Sequence, residues 1–324
     1  MSERACPDRN LETKIDISPS PFAIPATAWR RDPILGFIIA LGFLDSIAMH
    51  FVPIPKLIHQ TFSSMDRLPA TLRDNCEMIR SRNPEFEYHF YSDDEMLSFV
   101  RSSYGGDIAR IYARIDPAFG AARADLFRYL CLYWYGGVYL DVKADVRKPL
   151  ASVIRETDSF ILSRWDHSSD SPHAGWGSHH ALHGTGSHAF QQWFIIASPR
   201  HPFLKAVIDK VLKNIENYDP FKHFRNSWNA VIETTGEVPY TLAILPMLDS
   251  YPHRLVVAER DLDLHYSIFL ASGGVYAHQK LHGHYSALDR PLIRQPWPLN
   301  WMFGALARVR ALARWLKRQR CMLR

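Results

Sequence analysis

Charged side chains stand in and just after the most apolar part of this chain. Asp125 and Arg128 lie three apart in FGAARADLFRYLCLYWY, residues 119–135, and Asp141, Lys143 and Asp145 follow the next glycine pair. In a helix, residues three apart share a face. On a surface such a pair would be an ordinary ion pair, worth little. Here its neighbours are Leu126, Phe127, Leu130, Leu132 and Trp134, and charges on a mostly buried helix need a partner. A ligand rich in hydroxyls and phosphates suits both: a carboxylate accepts from sugar hydroxyls, and a guanidinium donates to hydroxyl or phosphate oxygens. Asp141, Lys143 and Asp145 alternate, so an extended chain would set all three on one face.

Positioning these groups requires a helix, a turn and a strand. Residues 119–135 contain no proline, and Gly136 and Gly137 supply the stop. Val138–Leu140 is a short β-prone run. A carboxylate just beyond a buried strand sits where open α/β sheets bind ligands. Upstream, Lys56–Thr61 reads as a first strand, Leu68–Arg82 as a helix, and Phe86–Tyr91 as a second strand after Asn83-Pro84. Ser92 with Glu95 forms a capping box for the next helix. Strand, helix, strand, helix predicts a parallel sheet. Phe160–Leu162, Leu255–Val257 and Gly274–Tyr276 read as further strands. Apolar periodicity predicts helices over Ala189–Ile215 and Trp228–Met247, separated by Pro199, Pro202 and Pro239.

The 324 residues are 47% hydrophobic and 22% charged, which suits one sizeable α/β domain with appendages. The net charge of +5 is uneven. Trp301–Arg324 holds seven Lys or Arg and no acid, so the remainder has 31 basic against 33 acidic residues. Nothing suggests a nucleic-acid groove. Cys6, Cys76, Cys131 and Cys321 lie far apart, against a zinc knuckle or disulfide framework. No Gly-x-Gly-x-x-Gly, Walker loop or Gly-x-Ser-x-Gly occurs.

The expected layout is an N-terminal arm over 1–53, an α/β domain over 54–290 and a basic tail over 291–324. Within the arm, Ile34–Val52 is mostly apolar, interrupted by Asp45 and His50. It reads as a weak single span or an interfacial helix. The tail interleaves Trp301, Met302, Leu306, Val309, Leu312 and Leu316 with arginines and Lys317, as in an amphipathic helix on an anionic membrane surface. Membrane association, peripheral or single-pass, follows; the cytoplasmic face is favoured, with a lumenal type II arrangement as the alternative. The loop Trp165–Gly186 is rich in Gly, Ser and His. It reads as a polar surface loop that contacts a hydroxyl-rich ligand or nothing, with metal binding by His179 and His183 the sharper alternative.

ARADLFRYLCLYWYGGVYLDVKADV, residues 121–145, resembles glycosyltransferase family 32, the sugar transferases with a DXD motif. Ile54–Thr61, Asn83-Pro84 with Tyr88–Asp93, Ser198–Phe203 and Thr234-Thr235-Gly236 add weaker likenesses. The resemblance implies a GT-A-like, Rossmann-type mixed sheet flanked by helices, a UDP- or GDP-sugar donor, and hexosyl transfer with retention to a glycan or glycolipid hydroxyl. It implies Asp125, Arg128 and Asp141 as catalytic residues. The implied donor-binding set adds His59, Gln60, Tyr129, Gly137 and Lys143. It also implies a divalent cation, Mn²⁺ or Mg²⁺, on Asp141, with the late His278 or Ser286 as a further ligand; Asp145, on the same face as Asp141 in an extended chain, is the other candidate ligand. One departure stands out: Lys143 occupies the second Asp of Asp-x-Asp. Either Asp145 takes over, or the ammonium replaces part of the metal's charge, or the site is impaired. A non-catalytic nucleotide-sugar-binding protein on the same fold is the alternative function.

Overall fold

Short runs of Ile, Val, Leu and Phe without charge become the inner strands of one sheet, because only a strand covered on both faces can be apolar throughout. The computed structural model describes residues 52–223, 226–269, 285–299, 301–306 and 308–309. In chain order the main elements are β1 (Leu57–Thr61), α1 (Ala70–Arg82), β2 (Glu87–Tyr91), α2 (Asp93–Arg114), α3 (Gly120–Tyr135) and β3 (Gly137–Leu140). After these come β4 (Asp145–Val146), α4 (Leu150–Val153), β5 (Phe160–Arg164), β6 (Phe190–Ala197) and α5 (Pro202–Glu216). The last are α6 (Ser227–Thr234), α7 (Glu237–Ile244), β7 (Arg254–Val257) and β8 (Leu264–His265).

The main sheet has the order β2-β1-β3-β6-β5-β7. β6 runs antiparallel to β3 and β5, while the other pairs are parallel. The mixed α/β sheet flanked by helices is therefore as expected. One apolar cluster joins α2, α3, α5, α6 and α7 to one face of the sheet. A second holds Val138, Leu140, Ile161 and Ile196 on the other. From β1 the chain goes to β2 on one side and then to β3 on the other, so the strand order reverses between β1 and β3. Such a switch point opens a crevice at the carboxyl ends of the strands.

α3 is buried nearly all round, which marks a helix packed inside the molecule rather than on its surface. Its exit needs glycine. Gly136 has φ 69° and Gly137 has φ 96°. A Cβ on Gly137 would lie 2.7 Å from the Leu57 carbonyl oxygen, so β3 could not close onto β1. The capping box at the start of α2 forms as read, with Ser92 and Glu95 each capping the other's backbone N–H.

Three expectations are corrected. Residues 190–197 are strand β6, not helix. A short run buried on both faces carries no period that separates it from a buried helix. The break between α6 and α7 falls at Thr235-Gly236, whereas Pro239 sits in the first turn of α7, where no intrahelical N–H is needed. Finally, Asp141–Asp145 is not extended. The Ala144 N–H bonds the Asp141 carbonyl at 2.9 Å, so the chain turns and β4 leaves to pair with β8.

The apolar stretch Ile34–Phe51, the strand expected at Gly274–Tyr276, and His278, His282 and His284 lie outside the described residues. So does most of the basic tail. Among the described residues no helix is long and apolar enough to cross a membrane.

Candidate active site

The crevice at the switch point is a cleft of about 740 Å³. Its floor carries Asp125 and Arg128 from α3, Asp141 and Lys143 from the turn after β3, and Gln192 from β6. Part of its wall is the loop after β5, through Trp165, Trp176 and His179.

Asp125 and Arg128 face each other one helical turn apart, with Nη2 3.1 Å from Oδ1. Both side chains are about 5% exposed or less. Each is held by groups from other elements. Thr235 Oγ1 donates to Asp125 Oδ2 at 2.9 Å, and Gln192 Nε2 donates to Oδ1 at 3.1 Å. Arg128 donates from Nη1 to the Gln192 carbonyl at 2.5 Å and from Nε to the Ala124 carbonyl at 3.2 Å. Its guanidinium also lies over the Tyr139 ring, 4.5 Å from the centroid. Burial pushes the Asp125 carboxyl above the usual carboxylate range, against the pull of Arg128, Thr235 and Gln192. Burial also works against the Arg128 charge, but Tyr139, Asp141 and Asp125 more than offset it, so the guanidinium stays cationic.

Arg128 reaches across to the strand end as well, with Nη2 3.3 Å from Asp141 Oδ1. The other Asp141 oxygen receives the Lys143 ammonium at 2.6 Å. Lys143 lies over the Tyr266 ring at 4.5 Å. Desolvation opposes its charge, and Asp141 and Tyr266 outweigh that, so the ammonium is held above the ordinary lysine range. Two carboxylates and two cations thus form one balanced cluster at the base of the cleft.

The turn itself is clamped. Asn75, buried on α1, donates to the Val142 carbonyl at 2.9 Å and to the Ala144 carbonyl at 2.8 Å. The Ile268 N–H bonds the Lys143 carbonyl at 2.9 Å, and the Asp141 N–H bonds the Trp193 carbonyl at 2.8 Å.

Of the residues expected at the site, Asp125, Arg128, Asp141 and Lys143 come together in the cleft. His59, Gln60, Tyr129, Gly137 and Asp145 do not line it. His59 is buried, bonded through Nε2 to the Gly136 carbonyl at 3.0 Å and through Nδ1 to the Tyr91 hydroxyl at 3.2 Å. Gln60 supports the site from behind, donating to the Asp141 carbonyl at 3.3 Å and accepting from Tyr88 at 2.7 Å. Tyr129 reaches the Thr235 carbonyl at 3.1 Å and the Gln192 side chain at 3.2 Å. Gly137 is needed for backbone approach. Asp145 turns away to Arg147 at 2.9 Å.

Sequence reasoning missed Gln192, Glu237 and Tyr266. The pair Gln191-Gln192 inside an uncharged run was the available signal for the first. In the histidine-rich loop, His179 Nε2 pairs with Glu237 Oε1 at 2.5 Å, beside Trp228.

The divalent cation implied by the DXD motif fits these residues poorly. Hard cations want several oxygen ligands. Both Asp141 oxygens already face fixed cations, and Asp145 is paired elsewhere. Among the described residues no three His, Cys, Asp or Glu side chains come together as a metal site.

Burial has a measurable consequence for stability. It lowers the His59 pKa to about 3, aided by His89 and opposed by the Gly136 carbonyl, and lowers that of His201 to about 4. An unfolded histidine titrates near 6.5. Between these values the unfolded chain takes up protons that the native chain refuses. Stability is therefore full above about pH 6.5 and falls as the pH drops toward the folded values, by about 1.4 kcal/mol per pH unit for each proton. Unfolding free energies from urea melts between pH 6 and 5 should fall with a slope of at least one proton; a flat profile would contradict the neutral burial of both rings.

With the site in view, comparison with known proteins is informative. Residues 69–160 match the family model described as "Glycosyltransferase sugar-binding region containing DXD motif". Over those residues the chain is similar to the sugar-binding region of the DXD glycosyltransferases. The matched span runs from α1 to the start of β5 and includes Asp125, Arg128 and Asp141; Asp-x-Asp is represented by Asp141-Val142-Lys143. Among curated relatives of this glycosyltransferase region, the initiation-specific alpha-1,6-mannosyltransferase of Schizosaccharomyces pombe is 27% identical over 60% of this chain and 49% of its own length. Inositol phosphoceramide mannosyltransferase 2 of the same organism is 26% identical over 51% of this chain and 40% of its own. The match thus spans half or less of these relatives. Among solved structures, PaToxG glycosyltransferase aligns over 61% of this chain and 73% of that one, at 17% identity and a TM-score of 0.41.

Proposed function

We propose that the protein is a hexosyltransferase that moves a sugar from a nucleotide-sugar donor to a hydroxyl of a glycan or glycolipid, with retention at the anomeric carbon. The observation that carries this reading is the Asp125–Arg128–Asp141 cluster on the cleft floor, within the matched sugar-binding region. Asp125 and Arg128 orient the donor sugar through hydroxyl hydrogen bonds. Asp141 fixes the cations that face the diphosphate. In the reaction the bond from the anomeric carbon to the diphosphate oxygen breaks, and the acceptor oxygen bonds that carbon on the same face. The acceptor proton leaves with the departing phosphate or to solvent. Positive charge already in place at the leaving group lowers the barrier because it needs no reorganisation as the bond breaks. The mannosyltransferase names of the relatives make a mannosyl donor the first choice.

The test is a panel of UDP- and GDP-hexoses with a glycan or glycolipid acceptor, read by product mass and by anomeric configuration. Transfer from one donor, with retention, is the expected result. Tight donor binding without transfer or hydrolysis would instead favour a binding protein.

Association with a membrane surface is part of the proposal. Trp297 and Trp301 are 81% and 68% exposed, and Val309 is 65% exposed, where the basic run begins. Exposed tryptophans beside basic residues suit an anionic interface. The full chain should cosediment with phosphatidylserine vesicles and release at high salt, and equal binding to neutral vesicles would count against the charge component.

A further inference from the structure

We infer that the Lys143 ammonium is the resident cation of this site, and that the nucleoside diphosphate of the donor binds against it without a divalent metal. This rests on the donor-binding reading above and extends it.

The placement of Lys143 is built into the fold. The turn from Asp141 to Ala144 folds its side chain back onto Asp141, and Asn75 and Ile268 clamp that turn from two separate segments. The side chain is only 14% exposed, yet it lines the cleft. Nζ lies 2.6 Å from Asp141 Oδ2 and 4.5 Å from the centre of the Tyr266 ring, so a carboxylate and an aromatic face hold it from two directions. An ammonium has three donors, so Asp141 leaves it further hydrogen-bonding capacity for phosphate oxygens.

A metal at the same place would meet two obstacles. It would have to displace or crowd one of two cations, since Lys143 faces one Asp141 oxygen and Arg128 the other. It would also sit beside that cation, in a cluster whose charges already balance. Asp145 offers no substitute ligand at the cleft, because the turn sends it to β4 and Arg147. The sequence change at the second motif position is thus matched by local geometry that uses the lysine.

Binding of UDP- and GDP-hexoses to the full chain, measured by calorimetry in EDTA and again with Mn²⁺ or Mg²⁺, tests this. The dissociation constant of the preferred donor should agree within about twofold between the two conditions. Lys143→Asp, which restores Asp-x-Asp, should weaken metal-free binding by about tenfold or more and recover with Mn²⁺. Lys143→Arg keeps the charge and should keep metal-free binding. If the native chain binds donor only with the divalent ion, the inference is overturned while the transferase reading stands. Metal-free binding by Lys143→Asp at native strength would also overturn it. If no donor binds under either condition, the transferase reading itself fails, and this inference with it.

Discussion

Asp141→Asn should lower sugar transfer by roughly 10²–10³-fold, the scale of losing one preorganised electrostatic contact. Circular dichroism should be unchanged. The amide keeps the shape of the side chain and can still accept from Arg128 or Lys143 through its oxygen. It cannot hold both cations as an anion does. Arg128 at 3.3 Å and Lys143 at 2.6 Å would then lose the charge that sets their positions. On the proposed mechanism the effect belongs in kcat as well as in donor affinity, because the cations would face the group whose charge grows as the leaving bond breaks. Near-native turnover would place the chemistry elsewhere in the cleft.

Asp125→Ala should produce a large loss of stability, about 3–5 kcal/mol, because removing one partner of a buried pair leaves Arg128 with Asp141 as its one remaining carboxylate among the described residues. The Arg128 side chain is only 5% exposed, although it lines the cleft. Gln192 would lose its carboxylate acceptor at the same time, and Thr235 would keep only the Val231 carbonyl. Equilibrium urea unfolding gives the number directly. A loss below about 1 kcal/mol would mean that Asp141 alone satisfies Arg128.

Much of this site could be read before any coordinates. Asp125, Arg128 and Asp141 were legible because charge is rare in an apolar helix and at the end of a buried strand. The glycine pair was legible because only that residue turns a buried helix sharply into a strand. The capping box at Ser92 and Glu95 was equally local. What the residues did not disclose depends on contacts far apart in the chain. β6 has no helical or strand period to separate the two, and its identity is settled by pairing with β3 and β5. Alternation put Asp145 on the face of Asp141 only if the chain stayed extended. The turn that separates them is held by Asn75, an unremarkable polar residue in a distant helix. His59 looked like a strand-end ligand and is instead a buried strut, since its partners Gly136 and Tyr91 come from other elements.

β6 also acts as a ruler. Two successive carbonyls of this one strand receive the two halves of the charged cluster: Gln192 takes Arg128, and Trp193 takes the backbone of Asp141. The separation between the helix-borne cation and the strand-borne anion is therefore fixed by the pitch of a third element. A slip of β6 by one residue would exchange its faces and unseat both anchors together, with every charged residue still present. Between 190 and 197 the spacing of the chain is as consequential for the site as the identity of any acid within it, and a single inserted residue there would do the damage of a double substitution.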